Sequence, residues 1–240
     1  MSPIFDITWQ RTGSNGHSDS IYLSYAETSQ LPGYGAIGGS EGSGLFRSNH
    51  DLDRETTQNL EFGYAIDRTV WSIDSAIFYR WDDDLVDWTF TGAGARAAEN
   101  VDIETFGFEI IATRQWKKFE GIASYTYRHK DEDYGNPAVD GSFYALNFPE
   151  HRATLGVIWS PNELFEIRID NEWRDQEENP LRDGPDDAFF TYIGISYFPA
   201  QIDGLECFAA YDKPWDDDFQ DVPGTPGRSD QASCGVTYRW

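Results

Sequence analysis

Gly33, Gly35 and Gly38 spell GxGxxG in the stretch "GYGAIGG", the spacing that cradles a dinucleotide pyrophosphate when it opens a helix directly after a strand. The residues that follow, "GGSEGSGLF", cannot start a helix, so the stretch reads as a flexible loop. His17, His50, His129 and His151 show no metal-ligand spacing. The runs Asp82, Asp83, Asp84 and Asp216, Asp217, Asp218 offer oxygens to a hard cation, but neither has the glycine-containing loop of an EF-hand, and both read as solvated charge. Carboxylate pairs for glycoside hydrolysis depend on spacing in three dimensions that no strand here specifies. No catalytic residue, metal site or cofactor is expected, and the chain does not read as an enzyme.

The remaining chemistry belongs to side chains that meet lipid. The chain has 240 residues, a formal net charge of -24 and nine Trp, thirteen Tyr and sixteen Phe. The acidity argues against a nucleic-acid partner, whose phosphates require Lys and Arg. No apolar run approaches the ~20 residues of a membrane helix. A membrane β-barrel shows lipid only every second side chain, so its strands average out as polar, while its interfaces collect aromatics. The start, "MSPIFDITWQ", has no signal-peptide pattern, so an exported protein is expected to have lost its beginning.

Period-two alternation predicts strands near 4 to 10, 19 to 26, 57 to 66, 69 to 82, 101 to 115, 119 to 130, 149 to 160, 164 to 177, 188 to 198, 204 to 214 and 230 to 240. Their connections sort by length. Those at 11 to 18, 67 to 68, 116 to 118, 161 to 163 and 199 to 203 are short, and the alternate set at 27 to 56, 83 to 100, 131 to 148, 178 to 187 and 215 to 229 is long. The long set carries 21 acidic against 5 basic residues, so charge concentrates at one rim. Short periplasmic turns opposite long extracellular loops are the pattern of outer-membrane barrels.

The faces agree. In "LFEIRIDNEWR", Phe165, Ile167 and Ile169 share one side, and Glu166, Arg168, Asp170, Glu172 and Arg174 share the other. The same parity puts Phe5, Ile7, Trp9, Leu60, Phe62, Tyr64, Phe106, Phe108, Ile110, Leu205, Cys207, Cys234, Val236, Tyr238 and Trp240 outward. Trp240, ending an alternating strand, reads as an interfacial anchor. Cys207 and Cys234 flank one long loop; a symmetric hairpin centred near 220 to 221 makes them adjacent, leaving a cross-strand disulfide or two free lipid-facing thiols as alternatives. The expected fold is all-β: an antiparallel transmembrane β-barrel wall of 11 to 12 strands. The twelfth would be "DDLVDWTF" as a separate strand.

"YLSYAETSQLPGY" and "NHDLDRETTQNLEFGY" resemble the C-terminal half of TonB-dependent outer-membrane receptors. Ser24, Tyr25 and Pro32 match the first family segment, and Asn49, Asp51, Leu52, Glu55, Glu61 and Gly63 match the second; His50 and Arg54 stand where the family often has prolines. "DDLVDW", "NVDIETFGFEIIA" (through Asn100, Gly107 and Glu109) and "FPEHRATLGVIWSP" match later segments in order. The resemblance covers about residues 19 to 240. It implies half of a 22-stranded barrel over residues 1 to 240, without the N-terminal plug or first barrel half, in the bacterial outer membrane. It implies active uptake of a small ligand such as an iron siderophore or a cobalamin. The implied partners are outer-membrane lipid, that ligand, the TonB complex acting through a plug, and the barrel-assembly machinery, which would read Tyr238 and Trp240 as the terminal signal. Ligand contacts in such a barrel come from long loops and upper lumen, which nominates Tyr34, Phe46, His50, Trp88, Tyr134, Tyr144 and Trp215. A passive porin-like channel and a soluble carbohydrate-binding β-protein are the alternatives.

Overall fold

The computed structural model describes residues 2 to 13 and 15 to 239. Its frame is eleven long antiparallel strands: β1 (Ile4–Thr12), β2 (Ser18–Gln30), β4 (Glu55–Arg68), β5 (Trp71–Phe90), β6 (Arg96–Trp116), β7 (Phe119–Asp133), β9 (Pro149–Asn162), β10 (Phe165–Gln176), β11 (Asp187–Tyr197), β12 (Leu205–Pro214) and β13 (Gln231–Tyr238). Each pairs with the next in chain order. Two short strands, β3 (Phe46–Arg47) and β8 (Gly141–Ser142), and two single-turn helices, α1 (Tyr34–Ile37) and α2 (Phe143–Leu146), lie in the long loops. The sheet is open, and among the described residues β1 and β13 each have one neighbour. All eleven predicted strands are present.

Registers carry the predicted outward set without interruption. Phe5 faces Tyr25, which faces Leu60, which faces Tyr79, which faces Phe106. Farther along, Ile167 joins Trp159 to Ile195, and Ala209 joins Ile195 to Cys234. Directly paired residues point to the same side of a sheet, so one apolar side runs across ten ladders. That side is bare: Phe62 is 50 % exposed, Ile77 48 % and Leu155 53 %. A water-soluble sheet would bury its apolar side under a second layer.

The bare side is bounded by aromatic girdles. At the short-turn end stand Trp71, Trp116 and the stacked pair Phe119 and Trp159; at the other, Tyr79 packs on Trp81, and His151 packs on Tyr125, Tyr127 and Trp173. From Trp71 to Trp81, ten residue steps of ~3.3 Å at a tilt of ~40° rise ~25 Å, the height of an outer-membrane apolar band. The inward side is polar and tightly fitted. Tyr22 lies across Gly63, Phe78 across Gly107 and Phe208 across Gly235, so close that a Cβ at any of these glycines would meet ring atoms within 2.7 Å. Tyr22 also donates to Glu61 at 2.7 Å, which accounts for the spacing Glu61-x-Gly63.

One expectation changes, and one pair of alternatives is narrowed. "DDLVDWTF" is not a separate strand but the upper part of β5, and the loop predicted at 83 to 100 shrinks to a five-residue tip at 91 to 95. A bulge at Asp83 and Asp84 hides the continuation, because pairing jumps from Asp82↔Ile103 to Leu85↔Val101 and Asp84 adopts a left-handed φ of 55°. For the cysteines, the register favours the free-thiol alternative over the cross-strand disulfide. Cys207 faces Val236 and Cys234 faces Ala209, two residues away from the symmetric register, and both are free thiols.

Candidate functional site

Above Trp81 the loops fold over the inward side and border a half-open cavity of about 730 Å³. Its walls come from the inward faces of β5, β6 and β7, through Phe78, Arg80, Asp82, Ile103, Thr105, Arg128 and Lys130. Gln30 and Glu55 close it from β2 and β4, Gly33, Gly35 and Ala36 from the α1 loop, and Leu85, Val86, Trp88 and Tyr144 from above. The bulge makes this possible, since by shifting register it places Leu85 on the side held by Asp82 below.

The cap has its own core. Phe90, Val101, Ile103, Ala145 and Leu146 are buried together, with Leu85, Tyr134 and Leu181 against them. Asp87, fully buried, pins α2 to the β5 extension: one carboxylate oxygen accepts the Trp88 N–H at 2.7 Å and the other accepts the Tyr144 N–H at 2.6 Å. Burial pushes the Asp87 carboxyl above its ordinary value. Asn100 performs a second stitch, donating to the Asp84 carbonyl at 2.6 Å and accepting the Asp53 N–H at 2.9 Å. Glu55 accepts from Gln30 at 2.8 Å. At the bulge, burial and the neighbouring Asp102 carboxylate raise both Asp83 and Asp84.

Farther along, the 215 to 230 loop is clamped to the same rim. Phe219 buries against Phe190, and the guanidiniums of Arg174 and Arg228 lie 5.0 and 4.8 Å from the Phe190 ring centroid. Asp221 accepts from both, at 2.6 and 3.0 Å.

The nominated aromatics divide. Trp88 and Tyr144 line the cavity, and Phe46 sits edge-on to Trp88 at 5.2 Å. Tyr34 is 84 % exposed on α1, whose Ala36 reaches the cavity wall. His50, Tyr134 and Trp215 are outside it: His50 pairs with Glu41 at 3.2 Å, Tyr134 packs on the cap core, and Trp215 donates to Thr191 at 2.9 Å. Tyr238 is described and faces Leu205, whereas Trp240 lies outside the described residues. The sequence reading missed Arg80, Arg128 and Lys130, three cations converging on one cavity in an acidic chain. Their shared inward parity at matched registers was the available signal. Chemically the cavity offers basic donors beside aromatic faces, which suits a flat or anionic solute.

A family model for the TonB dependent receptor-like β-barrel matches residues 2 to 226. The chain belongs to that family. No curated protein sequence matches this barrel chain significantly. Its fold recurs in the copper transporter OprC, at TM-score 0.70 and 12 % identity over 97 % of this chain and 39 % of that one. It recurs also in the FrpB iron transporter from Neisseria meningitidis, at 0.67 and 14 % over 99 % and 39 %. The siderophore receptor PirA from Acinetobacter baumannii matches at 0.66 and 16 % over 99 % and 40 %. This TonB-dependent receptor-like chain thus spans about two fifths of the length of these three proteins.

Proposed function

We propose that the chain is the C-terminal part of the barrel wall of a TonB-dependent receptor in the bacterial outer membrane, taking up a scarce ligand such as an iron siderophore or a cobalamin. The carrying observation is the open eleven-strand wall with a bare apolar side and a capped polar side. Unpaired strand edges in hydrocarbon are strongly unfavourable, and β1 and β13 run in the same direction, so further strands are needed for antiparallel closure. The cavity beneath the loops is where this part would contribute to capture, with Trp88, Tyr144, Phe46 and Tyr34 as contacts and Arg128 and Lys130 favouring an anionic ligand, Arg80 being paired with Asp82 at 2.7 Å. Transport would draw on the TonB complex through a plug, and folding on the barrel-assembly machinery. The neighbours named as copper and iron transporters and as a siderophore receptor support uptake as the class.

The test is uptake of radiolabelled ferric siderophores and cobalamin by cells carrying or lacking the gene, with and without a working TonB complex. Accumulation of one ligand that needs both is expected. Accumulation that ignores the TonB complex, with steady ion conductance in planar bilayers, would replace active uptake by a passive channel.

A further inference from the structure

The outward side carries a second site, at the short-turn end. Register sets Arg68, Trp71 and Arg114 side by side on β4, β5 and β6, and Arg114 faces Gly121 of β7. One step towards mid-belt the same side reads Ile73, Ala112, Ala123 and Leu155. The small side chains of Ala112, Gly121 and Ala123 leave an apolar furrow of about 470 Å³, with Trp71 and Trp116 among its walls and Leu155 at its far end.

The two arginines differ. Arg68 is engaged, with Asp19 at 2.6 Å and the Ser18 and Asp67 carbonyls at 2.9 and 2.8 Å. Arg114 is exposed, held 5.4 Å from the Trp116 ring centroid, and no ion pair is formed by it among the described residues. Lys117 and Lys118 occupy the adjoining turn. The nearby acids Asp74, Glu120 and Glu166 have inward parity, by their partners Ile111, Gln115 and Ser196. In a chain of net charge -24, this is a cationic mouth on an apolar trough at a girdle, where headgroups meet acyl chains.

We propose that the furrow seats one anionic phospholipid of the periplasmic leaflet, its phosphate on Arg114 and Lys117 and one acyl chain along Ala112, Ala123 and Leu155. The site rests on the membrane placement proposed above but not on any uptake ligand. It is complete within β5, β6, β7 and β9, whatever joins the edges at β1 and β13.

The complete receptor that contains this chain is reconstituted in phosphatidylcholine vesicles, and flotation establishes insertion. Phosphatidylglycerol or phosphatidylcholine with acyl chains brominated near the headgroup is then titrated in, and tryptophan quenching is read. Phosphatidylglycerol is expected to associate at least fivefold more strongly, the order of effect of one basic side chain at an anionic surface. Arg114→Gln should bring the ratio towards one, Ala112→Leu should weaken the association of phosphatidylglycerol while the turn charges remain, and Arg54→Gln in a long loop should change neither. Equal quenching by the two lipids in the inserted receptor, or an unchanged ratio in Arg114→Gln, overturns the site. A complete receptor that fails to float with vesicles overturns the membrane placement itself.

Discussion

Between the two girdles the wall is held by backbone ladders, and its large apolar side chains point away from the protein; above Trp81 they turn inward and pack on one another. In the belt, Phe62, Ile77 and Phe108 form a row across β4, β5 and β6, and what they need is hydrocarbon. In the cap, Phe90, Val101, Ile103 and Leu146 need each other, and specific polar stitches from Asp87 and Asn100 hold the backbone that brings them together. The belt is therefore built by repetition and tolerates any apolar residue of fitting size. The cap is built by particular pairs and tolerates few exchanges.

A charge in the belt should separate the two regions most sharply. Ile77 lies near mid-height and is half exposed, so Ile77→Arg is expected to cost about 2–4 kcal/mol in lipid vesicles, measured by urea unfolding of the complete vesicle-inserted receptor. At the surface of a water-soluble protein the same exchange would change little, because an exposed arginine is well hydrated. A loss below ~0.5 kcal/mol would remove the membrane reading of this face and with it the contrast.

Asp87→Ala should do the reverse, harming the cap and sparing the belt. It leaves the Trp88 and Tyr144 N–H groups buried without acceptors, a cost of about 1–3 kcal/mol in the local opening of residues 141 to 148. Hydrogen exchange reads this directly. Protection should fall at Tyr144 and its neighbours while the belt amides of β5, from Trp71 to Trp81, keep theirs. A uniform fall would mean that cap and belt open as one unit.

The same two regions explain what the residues disclosed on their own. Strict alternation between a polar and an apolar side makes all eleven strands legible in the sequence. Alternation fails where the bulge at Asp83 and Asp84 reverses which residues share a side, so the sequence pattern of the β5–β6 extension is that of a loop and does not disclose the cavity roof. Tyr144 and Trp88 stand out in the sequence as aromatics of the expected long connections, although Trp88 lies in β5, and Arg80, Arg128 and Lys130 form a group only once register aligns three strands. The hairpin carrying Cys207 and Cys234 shows the same limit: parity correctly gave their side, and only the ladder gave their partners, Val236 and Ala209. The family segments were informative for a physical reason as well. Glu61-x-Gly63 accommodates the Tyr22 ring and hydroxyl, and Asn100 ties the 49 to 55 loop to the bulge.

Acidity offers the finest distinction between cap and belt. Burial raises the Asp87 carboxyl above the ~3.9 of an unfolded aspartate. A raised pKa means that the docked cap binds this proton more tightly than the open form, so the contribution is complete below the unfolded value and is lost as pH climbs through the raised one. Exchange protection at Tyr144, corrected for the intrinsic rate, should accordingly be greater at pH 4 than at pH 7, and Asp87→Asn should flatten that slope. The Trp71 to Trp81 segment should show no such slope, because its ladders hold no buried carboxyl aimed at a backbone amide of the cap. A pH slope of equal size in both segments would show that the proton acts on the whole sheet, and that Asp87 is not the hinge on which the cap closes.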